Sequence, residues 1–409
     1  MTLITFQVRG RRSERPLKRA QIGLSLIELM VGLTIGLFLT LGMFTLLANS
    51  SQFFKIQDDF SRMQENATSA LRYMGDSVRM AGFDGYAQDP STIDITTNNV
   101  SVNNDCGSAA NLPVTNWAVA MVTNGQPSPI YGWRGGITGL TQATVNGVFP
   151  CILATNFQAY SPILVTRGAG GYAMPDPNGD GNVTDGIEEQ DNYANTIYIQ
   201  AAPSLALNIG GTPYAGTIFY GNQFANLRAT GQTVFLPNGN DIDVFEYHAY
   251  VYYIRPCSNP AIPPNCGNAN DDGGHPIPTL VRQELNGTTM TEVPLVEGVD
   301  MLSFQYGVDD YPSGSDYGVP SYYTATPAPN EWQNVVTVKI GVLVRSPNFN
   351  INYNDSGNTY DLVGDGITAT YTCTTYVATN PLACQYKRKV FSQTFQLRNI
   401  VGRRLPGAT

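Results

Sequence analysis

The hydrophobic pattern of the chain begins with one long apolar segment that a single charge interrupts. Between Leu24 and Ala48, Glu28 is the only charged residue. A segment of this length and composition predicts a helix that crosses the apolar core of a bilayer. We therefore predict a membrane-spanning helix over 24–48. A carboxylate inside such a helix is costly, so Glu28 is a candidate functional residue.

The helical pattern continues beyond this segment in an amphipathic form. No proline occurs between Leu24 and Asp89. One apolar stripe recurs at helical spacing, with polar residues on the other face. The stripe consists of Phe53, Ile56, Phe60, Met63, Ala67, Leu71, Met74 and Val78. We predict an amphipathic continuation of the helix over 49–84, and Gly82 and Gly85 are expected to end it.

The residues before the apolar segment distinguish it from an ordinary signal peptide. They include Arg9, Arg11, Arg12, Arg15, Lys18 and Arg19. Such a cluster predicts a cytoplasmic leader and a body on the other side of the membrane. A secretory signal has its small-residue cleavage site after the apolar run, whereas here Gly23 precedes it.

This order of elements resembles the class III signal of type IV prepilins and pseudopilins. The resemblance implies that a prepilin peptidase removes the leader 1–23 by cutting between Gly23 and Leu24. It also implies methylation of the new N-terminus at Leu24. Leu24 stands where that family more often has phenylalanine, and the leader is long. The spacing from Gly23 to Glu28 is intact.

Glu28 then has two interpretations. The resemblance implies that its carboxylate pairs with the N-terminal amine of a neighbouring subunit during assembly. Two buried charges neutralise each other only when the register is right. The alternative is a carboxylate that reaches the membrane interface near one helix end. Gly32 and Gly36 form a G-x-x-x-G pattern, which favours close helix packing but also fits the general use of glycine in membrane helices.

The composition of the remaining chain predicts a β-rich extracytoplasmic head. Only 13% of residues are charged, and the chain has 41 Gly, 26 Pro and 23 Tyr. Together with the helix, this predicts an α+β, type IV pilin-like fold whose large β-rich head occupies 85–409. The middle region, about 95–240, is interpreted as an elaboration of that head.

All six cysteines lie beyond the membrane segment, and an even set in an exported protein favours disulfides over metal ligation. Sequential local pairing is preferred because the last two pairs close short loops; buried free thiols are the alternative. The predicted pairs are Cys106–Cys151, Cys257–Cys266 and Cys373–Cys384.

Three segments resemble the PilW family of type IV pilus assembly proteins. The stretch from Ala70 to Gly85 resembles the end of the first helix in that family. The stretch from Pro294 to Asp309 resembles its L-V-E-G-V strand, with Leu302, Phe304, Tyr306 and Val308 alternating. The third is a closing pair of strands at Val335–Val344 and Val390–Leu397, followed by Leu397-Arg398-Asn399.

One acidic, glycine-rich loop has the spacing of a calcium ligand set. Its candidate ligands are Asp176, Asn178, Asp180, Asp185 and Glu188. Ile187 occupies the position where an EF-hand has its closing acid, so a true EF-hand is not predicted. A different calcium loop and a plain acidic surface turn both remain open.

Charge and motifs exclude several functions. The net charge is −9, and the leader 1–23 contributes +5, so the body carries −14. General binding of nucleic acid is therefore not expected. The chain has two histidines and no recognisable nucleophile–base pair, phosphate-binding loop or zinc motif. We predict that it is not an enzyme.

The resemblances together predict a minor pilin that helps to initiate or cap type IV pilus assembly. The implied partners are prepilin peptidase, other minor pilins, the major pilin and a pilus-tip adhesin. The protein is expected in the inner membrane before assembly and in the pilus afterwards, supporting twitching motility or adhesion. The alternatives are a minor pseudopilin of type II secretion and a calcium-dependent tip adhesin.

Overall fold

A computed structural model describes most of the chain. The described residues are 23, 25–87, 89–107, 117–119, 122–123, 126–127, 129–134, 139–176, 180, 182–188, 193–234, 241–310, 318–364, 371–376 and 382–404.

Five α-helices lie in the described residues: α1 (Leu26–Met80), α2 (Gln142–Val148), α3 (Thr184–Glu188), α4 (Phe224–Ala229) and α5 (Arg398–Arg404). The strands are β1 (Ile93–Asp94), β2 (Val122–Thr123), β3 (Gln126–Pro127), β4 (Ile130–Trp133), β5 (Ile163–Ala173), β6 (Ile197–Ala201), β7 (Leu207–Ile209), β8 (Thr212–Tyr214), β9 (Gly216–Tyr220), β10 (Val244–Arg255), β11 (Thr279–Asn286), β12 (Thr289–Glu297), β13 (Val299–Val308), β14 (Tyr322–Thr324), β15 (Val335–Arg345) and β16 (Arg388–Gln396). The combination of one long helix with many strands confirms the predicted α+β class.

Helix α1 runs without interruption over 55 residues, because its sequence contains no proline. It ends at Met80, and Gly82 follows with a φ of 76°. That left-handed conformation is accessible to glycine at little cost, so Gly82 ends the helix as expected. The chain forms two compact units, and the boundary between Asp58 and Asp59 falls inside α1.

In the second unit, the larger sheet has eight strands. Its order is β1-β9-β6-β10-β11-β12, and β5 pairs with both β10 and β4. Strands β4, β5, β6 and β9 come from the middle region of the chain, yet they join the same sheet as β10. The middle region is thus built into the sheet of the head.

The smaller sheet is antiparallel, with the order β14-β13-β15-β16. It contains all three strands of the resemblance to PilW: the alternating strand from Val299 and the closing pair. The strands Val335–Arg345 and Arg388–Gln396 begin and end within two residues of the predicted bounds. Hydrophobic alternation was a sufficient signal for these elements because each strand buries an apolar face.

The second half of α1 packs against both sheets. Its buried positions are Met63, Ala67, Ala70, Leu71, Met74, Gly75, Ser77 and Val78. Apart from Gly75 and Ser77, they share one core with side chains of β5, β10 and β11 and with side chains of β13, β15 and β16. A separate core covers another part of the larger sheet. Met63 is 5% exposed and Phe60 is 40% exposed, so burial of the predicted stripe begins only at Met63.

The structure contains three disulfides, Cys106–Cys151, Cys257–Cys266 and Cys373–Cys384, and no free cysteine. These are the sequential pairs that the sequence favoured. The Cys257–Cys266 loop is also held by two neighbouring carboxylates. Asp271 accepts hydrogen bonds from the backbone N–H groups of Ala261, Gly267 and Asn268, and Asp272 from those of Ser258, Asn259 and Ile277.

Candidate assembly interface

The first half of α1 presents apolar side chains all around its surface. Between Leu26 and Leu47 every large hydrophobic residue is at least half exposed. The helix is long and apolar enough to cross a membrane, and its most apolar part is not buried in the chain. Apolar surface of this extent is unfavourable in water, and it marks a contact with lipid or with other helices.

Ser25 begins this helix and was missed by the sequence analysis. Its hydroxyl oxygen accepts a hydrogen bond from the backbone N–H of Ile27 at 3.3 Å, and its carbonyl accepts the first helical bond, from Leu29. Glu28 lies three residues later, in the first helical turn. A serine followed by an acid at this spacing is a helix-start signature that the sequence contained.

The position of Glu28 has an electrostatic consequence. The N-terminal end of a helix carries partial positive charge, which stabilises an acid in the first turn. In the described residues, no hydrogen bond or ion pair joins the Glu28 side chain to another group. Gly23 is exposed, while Leu24 and the leader lie outside the described residues, so cleavage and methylation stay predictions.

Gly32 and Gly36 leave open space on the helix surface. A methyl group added at either position would meet no atom within 4 Å. The G-x-x-x-G pair is therefore not required for packing within the described part of the chain. Its use in packing against another helix stays a prediction.

The second half of α1 fixes the helix to the head through close backbone approaches. At Gly75, an added methyl group would collide with the ring of Phe395 on β16. Where α1 ends, the backbone N–H of Gly82 donates to the carbonyl of Arg167 on β5, at 3.0 Å. The side-chain amide of Asn399 donates to the carbonyl of Met80. The end of the first helix thus contacts both sheets and the last described helix.

The L-V-E-G-V segment forms the connection between β12 and β13. Gly298 has a φ of 74°, and its backbone N–H donates to the carbonyl of Pro278 at 2.8 Å. The carbonyl of Glu297 accepts a hydrogen bond from the side-chain amide of Asn66 on α1, at 3.0 Å. Gly298 is thus needed for a left-handed turn, and this turn lies against α1.

A buried ion-pair cluster follows this turn. The Arg388 Nε donates to Asp300 at 2.5 Å, and its Nη1 donates to Asp355 at 3.0 Å. The guanidinium of Arg345 lies 3.8 Å from the other oxygen of Asp300. The neighbouring carboxylates raise the pKa of Arg388, although burial opposes them. The cluster joins β13, β15 and β16 and has a structural role.

The predicted calcium loop is only partly described. Asn178 and the side chain of Glu188 lie outside the described residues. Asp180 accepts a hydrogen bond from the backbone N–H of Asn182 at 2.8 Å, and Asp185 accepts one from Gly186. Calcium binding at Asp176, Asp180 and Asp185 stays a prediction, and a titration of Ca²⁺ into the protein tests it.

Two residues beside this loop had no signal in the sequence. The side chain of Asp241 is fully buried, and the Arg228 guanidinium lies 2.8 Å from it. Burial raises the pKa of Asp241, while the charge of Arg228 lowers it. These residues come from separate segments, so only the fold brings them together.

The two histidines show no catalytic arrangement among the described residues. His248 lies on β10, as expected, with its Nδ1 4.0 Å from a carboxylate oxygen of Glu246. Burial lowers the pKa of His248, and the nearby charge of Arg282 lowers it further. His275 packs near the ring of Phe349.

Comparison with known protein families gives a match over part of the chain. Residues 252–399 match the family model of PilW, Type IV Pilus-assembly protein W. No curated protein and no solved structure is significantly similar to the chain. The matched part contains β13, β15 and β16, with the L-V-E-G-V turn and Asn399, whereas the stretch from Ala70 to Gly85 lies before it. Over residues 252–399 the chain therefore matches the type IV pilus assembly family that its sequence predicted, PilW, and this family points to type IV pilus assembly.

Proposed function

We propose that this protein is a minor pilin that helps to initiate or cap the type IV pilus. The observation that carries this proposal is the division of α1 into two halves. The first half exposes apolar residues all around, and the second half buries one stripe in the head. A helix of this kind serves as a membrane anchor before assembly and as a filament-core helix afterwards.

The domain order of the proposal follows from that helix. The leader 1–23 is removed, 24–48 spans the membrane, 49–84 continues the helix, and 85–409 forms the periplasmic head. The proposed partners are prepilin peptidase, the other minor pilins, the major pilin and a tip adhesin. The family match supports contacts with pilus components in general.

Glu28 is the proposed assembly residue. After cleavage, Leu24 carries a positive amine inside the bilayer, and a carboxylate from a neighbouring subunit neutralises it. Burying both charges as a pair costs far less than burying either alone. Because Glu28 is in the first turn of an exposed helix, its carboxylate lies on the surface that a neighbouring subunit contacts in this scheme.

A deletion strain tests the proposal. We expect loss of surface pili and of twitching motility, and recovery of both when the wild-type gene is restored. Secretion of enzymes through a type II system should be unchanged, which separates a pilin from a pseudopilin. Normal piliation with impaired secretion would contradict the proposal and favour the pseudopilin.

A further inference from the structure

A cavity in the head has no part in the proposed assembly function. It lies where the end of β10 and the beginning of β11 meet the beginning of β13 and the end of β15, and its volume is about 520 Å³. That volume is in the range of small-molecule sites, which often occupy junctions between structural layers. The cavity involves only residues of the second compact unit.

The charged side chains that line the cavity are balanced. They are two acids, Asp271 and Asp300, and two bases, Arg345 and Arg388. Asp271 accepts three backbone hydrogen bonds, and Arg388 is held by Asp300 and by Asp355, an acid that does not line the cavity. An anion therefore meets no excess of positive charge here, and a neutral ligand matches the equal numbers of acids and bases in the lining.

Several polar groups at the cavity keep unused hydrogen-bonding capacity. Among the described residues, the Arg345 guanidinium makes one hydrogen bond, to the carbonyl of Pro276 at 2.5 Å. Its Nε is 3.8 Å from Asp300 Oδ1, which is too far for a hydrogen bond. The side-chain amides of Gln142 and Gln158 make none with the described part of the chain. The Arg345 guanidinium can thus donate hydrogen bonds to a ligand in the cavity, and the two glutamine amides can both donate and accept them.

Flat apolar surfaces complete the walls. The lining includes three prolines and two tyrosines, Pro256, Pro276, Pro278, Tyr160 and Tyr371. Tyr160 has a φ of 65°, a left-handed conformation that is uncommon for a side chain of this size. Such conformations cluster at binding sites, where the surrounding structure holds them.

From this combination we propose that the cavity binds a saccharide unit. Each sugar hydroxyl both donates and accepts hydrogen bonds, so it uses the amides, Arg345 and Asp300 together. The C–H faces of the ring pack on the proline and tyrosine surfaces, and an uncharged ligand matches the equal numbers of acids and bases in the lining. A zwitterionic amino acid is the competing ligand, because it places an ammonium and a carboxylate on Asp300 and Arg345.

The test is calorimetric titration of full-length protein in a zwitterionic detergent that contains no sugar. The probes are glucose, galactose, mannose and N-acetylglucosamine at millimolar concentrations, with glycine as the zwitterionic competitor. We expect binding of at least one sugar and none of glycine. Gln142→Ala, at an exposed helix position, should weaken sugar binding by about three- to tenfold, the effect of one hydrogen bond.

Two matched variants locate the site. Ala269 and Ala261 are exposed alanines of the same disulfide region, but only Ala269 lines the cavity. Ala269→Trp should abolish binding, and Ala261→Trp should leave it within about twofold of wild type, since it removes no contact. No heat with any of the sugars, binding of glycine instead, or sugar binding that survives Ala269→Trp would overturn the proposal. None of these results bears on the role in pilus assembly.

Discussion

The side-chain amide of Asn399 donates a hydrogen bond to the carbonyl oxygen of Met80, at 3.2 Å. The same nitrogen lies 3.4 Å and 3.3 Å from the carbonyl oxygens of Arg79 and Ala81. The last carbonyls of a helix have no partner within the helix. A residue near the end of the chain thus caps the first helix, and it ties the C-terminal strand pair to α1.

Replacing Asn399 tests this cap. Asn399→Ala should lower the free energy of unfolding by about 1 kcal/mol, because the carbonyls lose the Asn399 amide as a donor, although the N–H of Phe83 still donates to Met80. Asn399→Asp should lower the free energy of unfolding by more than Asn399→Ala does, since a carboxylate at this position faces the negative end of the helix. Urea unfolding of the full-length protein in micelles measures both. Gln396→Ala, at an exposed position of β16, is the control, and an Asn399→Asp variant as stable as wild type would contradict the assignment.

Gly75 should be intolerant of even a small side chain. Alanine normally stabilises a helix by about 1 kcal/mol relative to glycine. At Gly75 the added methyl collides with the Phe395 ring, so we expect Gly75→Ala to be destabilising. Gly147→Ala is the matched control in α2, where the added methyl meets nothing within 4 Å.

A second substitution separates the collision from other causes. In a Phe395→Leu background the cost of Gly75→Ala should fall, because the smaller side chain leaves space for the methyl group. A double-mutant cycle of unfolding free energies measures this coupling. If the cost is the same in both backgrounds, the ring of Phe395 is not what excludes a side chain at Gly75.

The buried cluster around Asp300 should be sensitive to the loss of one charge. Asp300→Asn leaves Arg388 and Arg345 with too little negative charge nearby, which should cost about 3–5 kcal/mol of stability. Asp76→Asn removes an acid from the exposed ion pairs of α1 with Arg72 and Arg79, and it should cost less than about 1 kcal/mol. Denaturant unfolding compares the two variants. Equal costs would show that the Asp300 cluster is not effectively buried.

His248 should make the head less stable as the pH falls. Its folded pKa is lowered, so the unfolded chain binds a proton more tightly than the folded chain does. The stability that neutral His248 contributes to the folded chain is thus fully present above the ordinary histidine pKa of 6.5. This stability is lost as the pH falls below that value. Burial and Arg282 cause the shift, while Glu284 opposes it and Glu246 lies 4.0 Å away.

The measurement for His248 is the melting temperature as a function of pH. We expect His248→Gln to be less sensitive than wild type to acidification below 6.5. Identical pH profiles for wild type and His248→Gln would show that the histidine does not titrate differently in the folded chain.

The sequence predicted the elements whose pattern is local. Periodicity among neighbouring residues predicted the apolar segment and the alternating strand from Leu302. The backbone conformation that glycine allows predicted the helix end at Gly82. The apolar stripe begins at Phe53 in the sequence, but helical spacing alone does not reveal where the helix first meets its sheet. In the structure that contact begins at Met63.

Contacts between distant segments had no such signal. Arg228 pairs with Asp241, and Arg388 pairs with Asp300 and Asp355, although the partners are far apart in the sequence. A charged residue is usually solvated, so nothing in the sequence distinguishes these from surface charges. The Ser25–Glu28 spacing is different, because it was present in the sequence as a helix-start pattern.

The most direct test of the pilin account is the Glu28→Val variant in a strain that lacks the wild-type gene. We expect the leader to be removed normally, because the cleavage residues Gly23 and Leu24 are intact. We also expect the protein to be absent from sheared pili, because the amine of a neighbouring subunit has lost its carboxylate. Glu65→Val, an exposed acid in the second half of α1, should be incorporated like wild type. Processed Glu28→Val protein found in pili at the wild-type level would contradict the account.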